Sequence, residues 1–189
     1  EVGTLGQRHR EITTSFTTDF SQGRIERTED PLSLALKGEG FFVVEGPSGE
    51  AYTRNGSFQL DDAGVLQTTG GHAVVWDRGS GRIDPVGDAV RIDTSGQVFQ
   101  GATAIGRLKI VAFESPELLQ IDRQTYFHDP VGLAQTATDA EVHQYALERS
   151  NASSVDELIA LITVQRAFES ATSLVKMLDQ TYRRLNRAR

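Results

Sequence analysis

The stretch that decides the fold class is LIALITVQRAFESATSLVKMLDQTYRRL, residues 158–185. Its apolar residues recur at alternating intervals of three and four, a 3.5-residue repeat typical of a helix wrapped around another helix. The repeat predicts one long helix over residues 154–187, with Ser154 and Glu157 forming a capping box at its first turn. We predict that its assembly seam consists of Leu161, Val164, Phe168, Ala171, Val175, Leu178, Tyr182 and Leu185.

Two kinds of partner are open for this helix. It would span about 50 Å, which is more than a small β-domain needs, and the unbroken repeat favours a second helix as its partner. The alternative is that the helix lies across a sheet of the same chain. No second helix of similar size is predicted here, so the seam is expected to meet a helix from outside this sequence.

Glycine and proline divide the sequence upstream of the helix. All 18 glycines lie at or before Gly132, and the last proline is Pro130. Frequent turn residues without alternating strands and helices predict a compact antiparallel β-domain over residues 31–130. Its predicted strands lie near residues 41–45, 50–54, 57–60, 65–68, 72–76, 89–92, 97–100 and 106–113.

Two stretches of this region are similar, and each predicts a β-hairpin. They read LDDAGVL over residues 60–66 and IDTSGQV over residues 92–98. In each stretch a glycine stands where a short hairpin loop needs a left-handed backbone. The predicted core of the β-domain comprises Phe41, Val43, Phe58, Val75, Ile92, Phe99, Leu108 and Ile110.

The segments that flank the β-domain are predicted to be connectors. Residues 1–30 are rich in threonine, which favours an extended connector, although Ile12, Phe16 and Phe20 stand at a helical spacing. Residues 131–153 are predicted to be a return connector, and residues 154–189 a C-terminal assembly helix. Since the core is expected within residues 31–127, a chain ending near Asp139 is expected to fold.

The composition excludes several classes of function. The net charge is −7, and residues 1–150 alone carry −9, so no basic face for nucleic acid is expected. The chain contains no cysteine, which excludes disulfides and thiolate metal sites. No run approaches the roughly 20 apolar residues of a membrane helix, and we predict no membrane insertion.

No catalytic, cofactor-binding or metal-binding residue is predicted, and no small-molecule substrate. Ser173 and Lys176 match a Ser-x-x-Lys pair, but both stand off the seam and are interpreted as solvated surface. Asp61, Asp62 and Asp93 stand in turn sequences, where a carboxylate accepts backbone hydrogen bonds. The histidines are scattered, with no two at ligand spacing on one helix: His9, His72, His128 and His143.

Two regions of the chain carry motifs that can be compared with known families. The first comprises FSQG at 20–23, PLSLALKGEGFFVV at 31–44 and AYTRNGSFQL at 51–60. The second comprises LERSN at 147–151 and QRAFE at 165–169, with the motif residues Leu147, Glu148, Ser150, Asn151, Gln165 and Arg166. In type and order, these motifs resemble the flagellar hook–basal-body rod family over nearly the whole chain.

The resemblance implies a structural, non-enzymatic subunit of the bacterial flagellar rod, which crosses the periplasm between motor and hook. It implies that N- and C-terminal helices pair in an inner tube, with a β-rich domain outside, and that subunits leave the cell through the flagellar export apparatus. Implied partners are further copies, neighbouring rod and hook-junction subunits, and ring proteins around the rod. Because the chain begins at Glu1 rather than Met, we expect that it lacks the family's N-terminal helix.

The subunit type and two rival classes remain to be distinguished. IGRLKIV at 105–111 resembles the proximal rod subunit, which we favour, whereas ESPELL at 114–119 and the Phe41–Phe42 pair resemble the distal one. A peptidoglycan-active enzyme would need a carboxylate pair or an activated nucleophile, and neither is visible. A coiled-coil stalk would continue its seam from an upstream helix, whereas here a β-domain precedes it.

Overall fold

The structure is a computed structural model that describes residues 18–187, apart from residues 48, 80, 124, 138, 152 and 153, and without the side chains of residues 123, 154–157 and 184–187. The chain divides into two compact units, Glu1–Arg149 and Ser150–Arg189. We call them the β-unit and the helix unit, and each is described by itself. The predicted fold class, mainly β with one long C-terminal helix, is confirmed.

The β-unit consists of short strands, together with a 3₁₀ turn at Pro116–Leu118. Its strands are β1 (Ile25–Arg27), β2 (Leu34–Lys37), β3 (Phe41–Gly46), β4 (Gly49–Thr53), β5 (Phe58–Leu60), β6 (Leu66–Thr68), β7 (Trp76–Gly79), β8 (Val90–Ile92), β9 (Gln97–Gln100), β10 (Thr103–Leu108), β11 (Ile110–Ala112), β12 (Gln120–Arg123), β13 (Tyr126–His128), β14 (Gln135–Thr136), β15 (Glu141–Gln144) and β16 (Ala146–Glu148). Every pairing among these strands is antiparallel.

The largest sheet has six strands in the order β12-β13-β4-β3-β11-β14. Its inner strand β3 begins FFVV, and all four side chains are buried. Phe42 and Val44 belong to the main core cluster, whereas Phe41 and Val43 belong to a second cluster with Tyr52. Because side chains alternate across a strand, a continuous apolar run of this kind forms a strand that is covered on both faces.

The two predicted hairpins are confirmed as β5–β6 and β8–β9. Leu60 pairs with Leu66, and Ile92 pairs with Val98. The loop glycines have φ angles of 77° and 80°, in the left-handed region that glycine adopts without strain. Strands β8 and β9 belong to a four-stranded sheet in the order β7-β10-β9-β8.

Most of the predicted core is buried, with a shift at two positions. Phe41, Val43, Phe58, Ile92, Leu108 and Ile110 are buried. Val75 and Phe99 are only half-buried, and their neighbours Val74 and Val98 are buried instead. Successive side chains alternate between faces, so a prediction displaced by one residue selects the wrong face. The strand predicted at 72–76 also differs, since Ala73 and Val74 form isolated bridges and β7 begins at Trp76.

The predicted return connector, residues 131–153, is in large part sheet. Strand β15 pairs with β2, and β16 pairs with β1. Val142 and Ala146 are 1% and 3% exposed in the core, because the apolar strand β2 needs a covering partner and the C-terminal side of the β-unit supplies it. A chain ending near Asp139 would lose these strands and uncover Leu34 and Leu36. The folding of such a chain stays a prediction, and the pairing of β15 with β2 and of β16 with β1 argues against it.

The described part of the predicted N-terminal connector also belongs to the β-unit. Residues 25–27 form β1, and the ring of Phe20 lies 5.2 Å from that of Phe127 and 5.9 Å from that of Phe41. The spacing that begins at Ile12 and Phe16 falls outside the described residues.

The helix unit contains α1 (Ser154–Arg187), a helix of 34 residues. Its bounds agree with the predicted 154–187, and at 1.5 Å per residue it is about 50 Å long. It contains neither glycine nor proline, which explains why it is uninterrupted. The predicted capping box of Ser154 and Glu157 involves side chains outside the described part.

Candidate assembly surface

The predicted assembly seam is exposed along α1. Residues three and four apart lie on the same face of a helix, so helix geometry brings the seam residues into one stripe. The large side chains of the described stripe are 59–73% exposed, and Ala171 is also exposed: Leu161, Val164, Phe168, Val175, Leu178 and Tyr182. Leu185 lies in the last turn, outside the described side chains.

Residues 158–164 of α1 are apolar around almost the whole helix, with Thr163 as the exception. Leu158, Ile159 and Ile162 are 61%, 56% and 41% exposed. At 3.6 residues per turn Ile159 and Ile162 point away from the seam, whereas Leu158, three residues before Leu161, lies at its edge. A helix that is apolar all round is normally buried on all sides, so this end of α1 can accept more than one neighbour.

Farther along, that half of the helix is mixed, because polar residues stand beside Met177, which is 63% exposed. Arg166, Glu169 and Ser173 are exposed there, and Lys176 is exposed beside them. Gln165 Nε2 lies 3.4 Å from Glu169 Oε1, a contact one helical turn apart that contributes only a few tenths of a kcal/mol. Ser173 and Lys176 are both exposed on this mixed half, and their interpretation as solvated surface stays a prediction.

The six family-motif residues are divided between the two units. Leu147 and Glu148 lie in β16 of the β-unit, and the Glu148 side chain is only 8% exposed. Gln165 and Arg166 lie exposed on α1. Ser150 and Asn151 are exposed in the segment that precedes the helix.

Arg54 is a candidate that sequence reasoning missed. Its Nε donates a hydrogen bond of 2.8 Å to Glu148 Oε2, and its side chain is 17% exposed. The two residues are 94 positions apart, so no local spacing relates them. Their one shared signal is that each stands in a stretch that carries the family resemblance.

The loop aspartates act as hydrogen-bond acceptors for the backbone. Asp61 Oδ1 accepts from the N–H groups two and four residues on, at 2.9 and 2.8 Å, and Asp93 Oδ1 does the same at 2.9 and 3.0 Å. Burial would raise the pKa of Asp93, but the Ser95 hydroxyl and the backbone N–H groups outweigh it and lower that pKa. These carboxylates close hairpin loops, as their turn sequences predicted.

The described residues contain no group of three His, Asp or Glu side chains that could hold a metal ion. His72 Nδ1 lies 3.0 Å from the carbonyl oxygen of Glu45, and His128 Nε2 lies 3.5 Å from Asp122 Oδ2. The ring of His72 also packs edge-on against Tyr126, with the centroids 4.9 Å apart, and neither histidine has a second possible metal ligand beside it among the described residues. His9 lies outside the described residues.

The segment Leu158–Arg183 is long and apolar enough, by length and composition alone, to cross a membrane. This corrects the expectation that no run approaches that length. Arg166 and Glu169 lie near its middle, where a charged side chain costs about 2.5–3.5 kcal/mol in a bilayer. The absence of membrane insertion therefore stays a prediction, and the 3.5-residue repeat favours helix packing instead.

Family comparisons match both units. Residues 35–100 match the flagellar hook protein FlgE/F/G D1 domain, and residues 143–188 match the flagellar basal body rod FlgEFG protein C-terminal family. The first match covers strands β2 to β9, and the second begins in β15 and includes α1.

Individual relatives extend the match across the chain. The chain is 38% identical to the flagellar basal-body rod protein FlgF of Caulobacter vibrioides, over 89% of this chain and 68% of that protein. It is 31% identical to FlgG of Buchnera aphidicola, over 88% and 68%, and 29% identical to FlgF of Salmonella typhimurium, over 98% and 80%. The chain thus belongs to the flagellar basal-body rod protein family and is a structural, non-enzymatic subunit of that rod, where it assembles with other rod subunits.

Proposed function

We propose that this chain is a proximal rod subunit of the FlgF type, which polymerises axially through α1 and transmits torque from the motor to the hook. The higher identity to the Caulobacter FlgF, 38% against 31% for the Buchnera FlgG, supports this subunit type. The distal rod subunit is the alternative, because relatives of both types match most of the chain. A peptidoglycan-active module has no supporting feature among the described residues.

The observation that carries the proposal is the exposed seam of α1. Its large apolar side chains are 59–73% exposed, and burying one such side chain contributes roughly 1.5–3 kcal/mol. A seam of this length therefore strongly favours association with other helices. The 3.5-residue repeat fits a helical partner, as expected inside a tube of packed helices.

The apolar residues 158–164 of α1 support packing among several helices. A two-stranded coiled coil would bury the seam and leave Ile159 and Ile162 in water. In a tube, neighbouring subunits cover a helix from more than one side, which suits a segment that is apolar all round. Farther along, Arg166, Glu169 and Ser173 on the same half suit contact with water or with polar neighbours.

The remaining assignments follow from this role. Residues 154–189 act as the assembly element, and the β-unit forms the outer part of the subunit. The partners are further copies, neighbouring rod and hook-junction subunits, and ring proteins around the rod. The subunit acts in the periplasm and leaves the cell through the flagellar export apparatus.

Complementation tests the subunit type. The gene that encodes this chain is expressed in two strains of its own organism, one lacking the proximal rod subunit and one lacking the distal subunit. Recovery of swimming only in the first strain is expected. Recovery only in the second strain would assign the distal type, and recovery in neither, with the protein present at normal level, would contradict a rod role for this gene.

A further inference from the structure

A nearly buried polar cluster joins the two segments by which the chain enters and leaves the β-unit. It consists of Gly23, Arg54 and Glu148, and we call it the clasp. Glu148 Oε2 accepts a hydrogen bond from Arg54 Nε at 2.8 Å, and Glu148 Oε1 accepts one from the Gly23 N–H at 2.8 Å. One carboxylate thus holds both the end of β4 and the segment that leads into β1.

The guanidinium of Arg54 extends the clasp to the turn between β2 and β3. Its terminal nitrogens donate to the carbonyl oxygens of Gly38, at 3.1 and 3.2 Å, and Gly40, at 2.9 Å. A planar fork of donors is required for this set of acceptors, so lysine could not replace Arg54. The cluster therefore connects four separate stretches of the β-unit around one nearly buried charge pair.

The backbone around the clasp brings the incoming and outgoing segments side by side. Ile25 lies opposite Glu148 in the β1–β16 pair, and the Arg149 N–H donates to the Arg24 carbonyl oxygen at 2.8 Å. A Cβ atom at Gly23 would collide with the Arg149 carbonyl oxygen. The approach of the two segments is thus possible only with glycine at position 23.

A role in positioning explains this arrangement better than a role in stability. A buried ion pair often stabilises a fold no better than apolar residues of the same volume. The clasp, however, ties residues immediately before β1 to residues six positions ahead of α1. Any force that separates the two segments would act first on β1–β16, at the end that the clasp closes.

We propose that the clasp fixes the register of β16 against β1, where the chain leaves the β-unit, and that it keeps this register fixed under torque. This rests on the proposed function, because it takes α1 as the element that assembles. Arg54 and Glu148 are then positioning residues, which act through β1 and β16 and touch no partner themselves.

Hydrogen exchange on the purified protein tests the clasp directly. Glu148→Gln keeps the size of the side chain but removes its charge and one hydrogen-bond acceptor. Gly23→Ala separates the same two segments, because the added Cβ collides with the Arg149 carbonyl oxygen. Exchange at the backbone amides of Thr28 and Arg149, which bridge β1 and β16, is expected to be about 10- to 100-fold faster in both variants. The hairpins β5–β6 and β8–β9 should keep their protection, which shows that the fold is intact.

Glu141→Gln is the matched control. Glu141 pairs with Lys37 at 3.4 Å on the surface, with side chains 52% and 62% exposed, so its loss should leave exchange in β1–β16 unchanged. Unchanged exchange in Glu148→Gln and Gly23→Ala would overturn the clasp. If exchange becomes faster throughout Glu148→Gln, that variant has lost its fold. The result for Gly23→Ala then decides whether the clasp holds β1 against β16.

Motility under load tests the coupling. Strains that carry Glu148→Gln or Gly23→Ala in the full-length protein are expected to swim less well than Glu141→Gln strains as the viscosity of the medium rises, with normal subunit levels. Swimming equal to the control at every viscosity, despite faster exchange, would overturn the coupling to torque. The rod assignment would stand in that case, because it depends on complementation.

Discussion

The ring of Phe58 packs edge-on against the ring of Phe42, with the centroids 5.1 Å apart and the planes at 88°. Phe42 lies on the central strand β3, and Phe58 begins the hairpin β5–β6. This contact therefore joins the largest sheet to a hairpin outside it. Both residues are buried, Phe42 completely, and an aromatic pair of this geometry adds about 0.5–1.5 kcal/mol to the burial of its surface.

Phe42→Ala is expected to destabilise the β-unit by about 3–5 kcal/mol, because it removes a buried ring and leaves a cavity. Urea unfolding followed by the fluorescence of Trp76, the chain's single tryptophan, measures this loss in the β-unit itself. Phe168→Ala is the control, since Phe168 is 73% exposed on α1. Equal losses in the two variants would show that Phe42 is not a core residue of the β-unit.

Local patterns predicted the elements whose contacts are close in sequence. The Asp-x-x-Gly loops predicted both hairpins, and the absence of glycine and proline predicted an uninterrupted α1. In each case the hydrogen bonds join residues a few positions apart, so residue type and spacing carry the information.

Long-range pairings could not be predicted in this way. Strands β1 and β16 have three residues each, too few to show a period, and they pair across more than a hundred residues. The link between Arg54 and Glu148 likewise depends on where β4 and β16 meet. The stripe of seam residues follows from helix geometry alone, since a helix needs no distant partner to order it, whereas the partner proposed to cover it is not encoded in any local pattern.

Gly64→Ala and Gly71→Ala distinguish the free-energy cost of a strained backbone from that of a steric collision. Both glycines have a left-handed backbone, with φ of 77° and 82°, which costs alanine about 1–2 kcal/mol. At Gly71 a Cβ would meet open space, whereas at Gly64 it would collide with the Ile83 carbonyl oxygen. Gly64→Ala should therefore lower the free energy of unfolding by about 1–3 kcal/mol more than Gly71→Ala does. Equal unfolding midpoints in urea would contradict the close approach at Gly64.

The loop after β13 should lose stability in acid. Asp129 accepts hydrogen bonds from the N–H groups of Val131, Gly132 and Ala134 at 2.8–3.0 Å. Burial would raise the pKa of Asp129, but these backbone donors outweigh it and hold the pKa below its ordinary value of 3.8. A carboxyl whose pKa is lowered in the folded state contributes its full stabilisation above pH 3.8. That stabilisation is lost as the pH falls through the lower pKa of the folded state.

Asp129→Asn tests this pH dependence. The variant should be less stable than the native chain near neutral pH, and the difference should shrink as the pH falls below 3.8. Urea unfolding midpoints across this range measure the difference. Asp62→Asn, at an exposed position of the β5–β6 loop, is the control for a simple change of charge. A difference that stays constant down to the lowest pH would contradict the role given to the Asp129 carboxylate.

The seam of α1 is tested by placing a charge in it. Val175→Glu introduces a carboxylate in the middle of the stripe whose burial is proposed to drive association. Lys176→Glu introduces the same side chain one position away, off the seam. Since Val175 is 64% exposed in the single chain, neither change should shift the unfolding midpoint of the β-unit.

In the assembled rod, however, the carboxylate introduced by Val175→Glu would lie among apolar side chains, where an unpaired charge costs several kcal/mol. Val175→Glu should therefore abolish swimming and leave the subunit absent from purified basal bodies, while Lys176→Glu strains keep both. A Val175→Glu strain that swims at normal subunit levels would mean that the 3.5-residue stripe is not the assembly surface.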